Sequence, residues 1–259
     1  MIISKFFIIG ISILSTISFF LRGQSNRLIE SGRIEFERSE NVYSILDKLY
    51  DNPQDVQMTR YVENYKSNGP RFKTSSFILL FDAQTTLYSP KDSNEPVSTV
   101  LSQYSSYNIV HTDFKDREVT SQKNVLGVEY ILKNKIREIK WRLTGETREI
   151  AGFKCRRANG LLADSIYVVA FYTDKIITKG GPESFTGLPG MILGLALPDE
   201  HITWFAKSYS SDMVNRDLQN IELKGRNINW EELDDIIRNS TTVRVHPNLL
   251  GFLRKRVVF

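Results

Sequence analysis

Cys155, Met191 and His201 are the residues of this chain whose types could share a chemical task. Thiol, thioether and imidazole are soft or borderline ligands of the kind that bind Cu(I). Only one cysteine, four methionines and three histidines are present, the histidines at 111, 201 and 246, so this set draws on a small supply. The plainer reading ranks ahead of it: a core Cys, a core Met and a surface His, because one soft residue per strand is ordinary packing material. Other catalytic sets are missing. No G-x-S-x-G surrounds a serine, and neither H-E-x-x-H nor paired C-x-x-C occurs. Asp199-Glu200-His201 puts two acids beside one imidazole, but neighbouring strand residues point to opposite faces, so this run reads as a turn after Pro198. With no acid-base pair or activated nucleophile legible, a non-enzymatic protein is expected.

The elements that must position these residues centre on Gly180 to Gly194, read Gly-Gly-Pro-Glu-Ser-Phe-Thr-Gly-Leu-Pro-Gly-Met-Ile-Leu-Gly. Glycine admits positive φ, while proline fixes φ and extends the residue before it. Leu188, Met191, Ile192, Leu193 and Leu195 are apolar, which predicts an ordered hairpin-like connection packed onto a sheet. A phosphate loop is excluded, because no Lys-Ser or Lys-Thr follows the glycines and G-x-G-x-x-G does not occur there.

Gly187-Leu188-Pro189-Gly190-Met191-Ile192 resembles the signature of the GLPGLI family of Bacteroidetes envelope proteins. Ile150 to Ala158 around Cys155 resembles that family's I-x-G-Y-x-C-x-K-A segment, Ala170-Phe-Tyr-Thr173 its A-W-Y-T segment, and Gly181-Pro182 with Phe185 its G-P-x-x-F lead-in. Trp141 and Thr144 stand upstream in the same order. Met191 and Phe171 depart from the pattern by apolar exchange, which disturbs packing little. The resemblance implies an envelope location and a β-rich architecture, and brings no activity with it.

Residues 1–23 read as a secretory signal peptide: Lys5, an apolar run from Phe6 to Leu21, then small residues near Gly23. No cysteine lies near the expected cut, so a lipid-bearing N-terminus is not expected. Removing Lys5 and Arg22 lowers the net charge from +4 by two, which leaves no electrostatic case for nucleic acid. A lone cysteine precludes an internal disulfide. By strand alternation Cys155 shares a face with Phe153 and Arg157.

Residues 24–259 read as a single β-rich domain. Ile34 and Phe36 alternate with Arg33, Glu35, Glu37 and Arg38, predicting a half-buried strand from Ser31 to Arg38. Val42 to Tyr50 has helical spacing, and Met58 to Tyr65 suits a second helix. A hairpin is expected over Phe72 to Tyr88 and a polar loop over Ser89 to Ser98. Short alternating runs then follow at 108–114, 118–123, 127–132, 140–144, 148–158 and 165–173, with further strands at His201–Tyr209 and Asn220–Lys224. Trp230 to Arg238 is a helix capped by Asn229, and Arg254-Lys255-Arg256 lies in a solvated tail. The fold expected is mainly β within the α+β class: a strongly curved antiparallel meander or half-barrel with a few short helices.

Such a sheet suits an exported binding or carrier module, periplasmic or outer-membrane-associated, with an apolar groove for a lipid, a peptide or a partner protein of the envelope. No cofactor is expected on that reading. Copper is the cofactor of the alternative, a soft-metal handling protein. No membrane span is expected once the leader is removed.

Overall fold

The computed structural model describes residues 28–91, 107–163, 165–211, 218, 222–246 and 248–259. The expected signal peptide, most of the Ser89–Ser98 loop and part of Asn220–Lys224 lie outside them. Among the described residues no helix is long and apolar enough to cross a membrane.

Among the described residues twelve strands form one open curved sheet. In chain order they are β1 (Gly32–Asn41), β2 (Phe72–Phe81), β3 (Thr85–Pro90), β4 (Ile109–Asp113), β5 (Glu118–Val125), β6 (Val128–Lys135), β7 (Lys140–Ile150), β8 (Phe153–Leu162), β9 (Ile166–Thr173), β10 (Met191–Leu197), β11 (Ile202–Ser210) and β12 (Arg226–Asn227). Their order across the sheet is β12-β6-β5-β4-β3-β2-β1-β11-β10-β9-β8-β7. Two meanders thus meet where β1 pairs with β2 on one side and β11 on the other, so the first strand sits in the middle. The pairing is antiparallel except at β12, which runs parallel to β6.

Among the described residues five bounded helices cover one end: α1 (Val42–Leu49), α2 (Val56–Asn68), α3 (Trp230–Asn239), α4 (Thr241–Val245) and α5 (Asn248–Val258). Side-chain caps start four of them, with Asn41, Asp55, Asn229 and Ser240 each accepting from a backbone N–H three residues on. α1 buries Val42, Ile45, Leu46 and Leu49, the set its spacing predicts.

Among the described residues three apolar clusters result, the smallest being Leu80, Leu87 and Leu218. The largest joins the sheet to the glycine stretch, through Phe36, Phe77, Phe185, Met191, Ile192 and Trp204 among others. The second gathers the helices against the ends of β5 and β6, through Leu46, Leu233, Ile237, Leu253 and Val257. Phe259, just past α5, belongs to the first cluster while Leu249, Phe252, Leu253 and Val257 belong to the second.

Several expectations need correcting. The run 148–158 is not one strand: Ala151 and Gly152 take positive φ (49° and 80°) and turn the chain between β7 and β8. Met191 to Leu195 lie in β10, so the outgoing strand starts inside the glycine stretch. Residues 222–224 carry no strand, and pairing begins only at Arg226. The C-terminal residues are a packed helix rather than a solvated tail, since Leu249, Phe252, Leu253, Arg256 and Val257 are buried. Arg38 is no member of a wet face. It follows Ile34 and Phe36 in phase and is 2% exposed.

Candidate functional site

The glycine stretch leaves β9 at Thr173 and re-enters the sheet at Met191, opposite Thr173 itself. Two glycines make this path. Gly190 has φ 144°, and a Cβ there would run into the Thr173 carbonyl oxygen and lie 3.0 Å from Asp174 Cα. Gly187 has φ 95° and lies against the Trp141 indole, whose Nε1 donates to the Thr186 carbonyl at 2.9 Å. Gly181, Pro182, Phe185, Leu188, Met191 and Ile192 are buried, whereas Gly187 and Pro189 are exposed. The stretch therefore works as a packed inner layer with two surface corners.

Cys155, Met191 and His201 do not converge. Cys155 sits one residue beyond the Arg156–Tyr172 pair and Met191 opposite Thr173, so β9 lies between them and their backbones are roughly 10 Å apart. His201 follows the far end of β10, about 20 Å along the strand direction from Met191 by strand rise. It borders an open cleft of about 860 Å³ with Asp47, Lys48, Asp199 and Lys255. Burial pushes the Cys155 thiol up to about 12, which keeps it protonated. Among the described residues no group of three or more His, Cys, Asp or Glu is placed to hold a metal ion.

The structure instead brings together charged residues under the sheet. Glu40 is shared by two arginines: Arg256 donates to its Oε1 at 2.6 Å and Arg38 to the same oxygen at 3.2 Å. All three are nearly inaccessible, at 6%, 3% and 2% exposure. Burial alone would raise the Glu40 carboxyl, but Arg38 and Arg256 outweigh it and hold it at about 2. Further along, Asn108 Nδ2 donates to Glu183 Oε2 at 2.8 Å. Glu183 takes a left-handed conformation, φ 55°, and burial raises its carboxyl despite Lys123 and Arg38 nearby. Burial also lowers the Lys123 ammonium to about 8, with Glu183 opposing that shift.

The C-terminal segment is fastened into this layer. Arg254, Lys255 and Arg256 reach acids on three different elements: Asp234 of α3 at 2.5 Å, Glu200 of the turn Pro198–Glu200 at 2.6 Å, and Glu40 of β1. Beyond them the Phe259 ring lies 6.0 Å from both Phe185 and Trp204. Its carbonyl oxygen accepts from Lys123 Nζ and, at 3.4 Å, from Asn108, while Arg137 donates to the Val258 carbonyl. A small, partly open cavity of about 20 Å³ remains beside these groups, room for about one water molecule. The chain's own end thus packs against the buried face of the sheet, beside Phe185 and Trp204.

The chemistry here was encoded by strand phase. Arg38 and Glu40 continue the parity of Ile34 and Phe36, Ser121 and Lys123 that of Val119 and Val125, and Asn108 that of Val110 and Thr112. Period two alone places all of them inside.

A family model described as a protein of unknown function (Porph_ging), of Bacteroidetes and Porphyromonas origin, matches residues 159–194, from within β8 through the glycine stretch into β10. No curated protein matches the chain. Solved structures of PNGF-II in two space groups, P21 and C2, are similar in fold, with TM-score 0.51 and 12% and 13% identity. Each match covers 81% of this chain and 33% of the other, so the chain spans about a third of PNGF-II.

Proposed function

We propose that this chain is an exported, non-enzymatic binding module of the bacterial envelope, of GLPGLI type, whose concave face recognises a short basic peptide segment ending in an aromatic residue. In the conformation described, the end of its own residues 248–259, Val258 and Phe259, packs against the sheet. The observation that carries this reading is that Arg254, Lys255 and Arg256 each reach a different acid, Asp234, Glu200 and Glu40, with the Phe259 ring seated by Phe185 and Trp204. Consecutive cations met by acids on three elements, followed by a ring in an aromatic seat, are a recognition pattern for a segment. A lipid fits it less well, since the space beside the buried charges holds about one water and the wall there is charged. The export pattern of residues 1–23 supports a location in the envelope, where a partner protein would supply the segment in trans.

The test is a labelled peptide with the sequence of residues 248–259, titrated by fluorescence polarisation into the parent chain and into Arg256→Ala. Weakening the internal occupant raises the fraction of open sites, so the apparent affinity should be higher for the variant. Absence of saturable binding to both proteins, or equal affinity for both, would refute the reading.

A further inference from the structure

The end of the occupying segment meets a kind of chemistry different from its middle. Arg254, Lys255 and Arg256 bring positive charge to acids, whereas Lys123 and Arg137 bring positive charge to the main-chain oxygens of Phe259 and Val258. Neither Lys123 nor Arg137 forms an ion pair with a described residue, and Lys123 is 5% exposed. A buried ammonium is costly unless an anion meets it. The carboxyls at hand are Glu40 and Glu183. Glu40 is already shared by Arg38 and Arg256, and Glu183 is held through its Oε2 by Asn108. Four cations, Arg38, Lys123, Arg137 and Arg256, thus stand around two carboxyls, and the excess of positive charge lies where the main-chain oxygen of an aromatic residue enters.

We propose that Lys123, Asn108 and Arg137 form a carboxylate-recognition site, built for the terminal carboxylate of an aromatic residue whose ring enters the seat made by Phe185 and Trp204. The proposal rests on the peptide reading above and specifies the end of the segment. Lys123 and Asn108 already converge on one main-chain oxygen, and a carboxylate there supplies the negative charge that a peptide carbonyl lacks. The ring and the charge are read together, because Phe259 is 1% exposed and its ring and oxygen are engaged by different walls of the same site.

The test uses the full chain prepared by ligation in two forms, with Phe259 as the free acid and as the carboxamide. Hydrogen exchange of residues 256–259 is then compared at pH 7. The acid form should open at least tenfold less often than the amide, Lys123→Met should erase the difference, and Lys123→Arg should keep most of it. Equal exchange in the two parent forms would overturn the carboxylate site, as would a difference that survives both Lys123→Met and Arg137→Met. Either result leaves the peptide reading to its own titration, and the parent comparison decides the matter even if a Lys123 variant folds poorly.

Discussion

The glycine stretch and the end of the C-terminal segment both reach the main apolar cluster of the sheet, and they are held there by different means. The stretch is fixed by backbone: Gly190 presses on the Thr173 carbonyl, Gly187 lies under Trp141, and apolar side chains fill the space between. The segment also buries Leu249, Phe252, Leu253, Val257 and Phe259, and adds charge to that packing, through three cations on three acids and main-chain oxygens on Lys123 and Arg137. Steric and apolar fixation responds little to pH or salt, whereas buried ion pairs fail when one partner loses its charge. Acid is therefore expected to loosen the C-terminal segment before the glycine stretch.

The sharpest way to break this contrast is to attack each layer at its tightest point. Gly190→Val should abolish folding or cost more than about 4 kcal/mol, because the new Cβ meets backbone that the β9 ladder keeps from moving. Soluble yield and urea melts measure it, and a variant that melts like the parent would make the stretch an ordinary loop. Glu40→Gln should cost about 3–5 kcal/mol by leaving Arg38 and Arg256 without their shared anion. Unlike Gly190→Val, it should expose residues 248–259 to protease before the strands unfold. If the strands and the segment are cut together, the two layers are not separable.

Gly187→Val should cost about 1–3 kcal/mol, since φ 95° disfavours a β-branched residue while the corner itself is exposed. Lys48→Ala sets the small end of the scale. Its ammonium is 3.6 Å from Glu200 and half exposed, so loss of the pair should cost less than about 1 kcal/mol. A larger loss would show that Glu200 depends on Lys48 rather than on Lys255.

The backbone-held layer was far more legible from sequence than the charge-held one. Glycine and proline at 181, 182, 187, 189 and 190 announce a constrained path through residue type alone, and α1 and α3 followed from spacing and caps. Arg254-Lys255-Arg256 read as solvated because a run of cations contains no mark of its partners: Asp234 is 20 residues away, Glu200 is 55 and Glu40 is 216. Only the sheet order, with β1 in its centre, brings Glu40 under the C-terminal helix. Arg38 and Lys123 were within reach by parity, yet composition argued against burying a charge and parity was the better guide. Cys155 shows the converse. Its type suggested chemistry, and its place at 0% exposure makes it packing.

Hydrogen exchange followed from pH 7 down to pH 2 tests the two-layer account most directly. Glu40 has a folded value of about 2 against an ordinary 4.5, so its stabilisation is present above about pH 4.5 and is lost as pH falls through that window. Asp234, also held at about 2 by its hydrogen bonds with Arg254 and Arg238, adds in the same direction. Glu183 runs the other way, since its raised folded value makes protonation favour the folded state, so acid should not strain the glycine stretch. The account predicts that near pH 3 the amides of residues 249–259 exchange at least tenfold faster, after correction for intrinsic rates, while those of Met191–Leu197 keep their protection. Loss of protection in both regions together, or in neither, would contradict it.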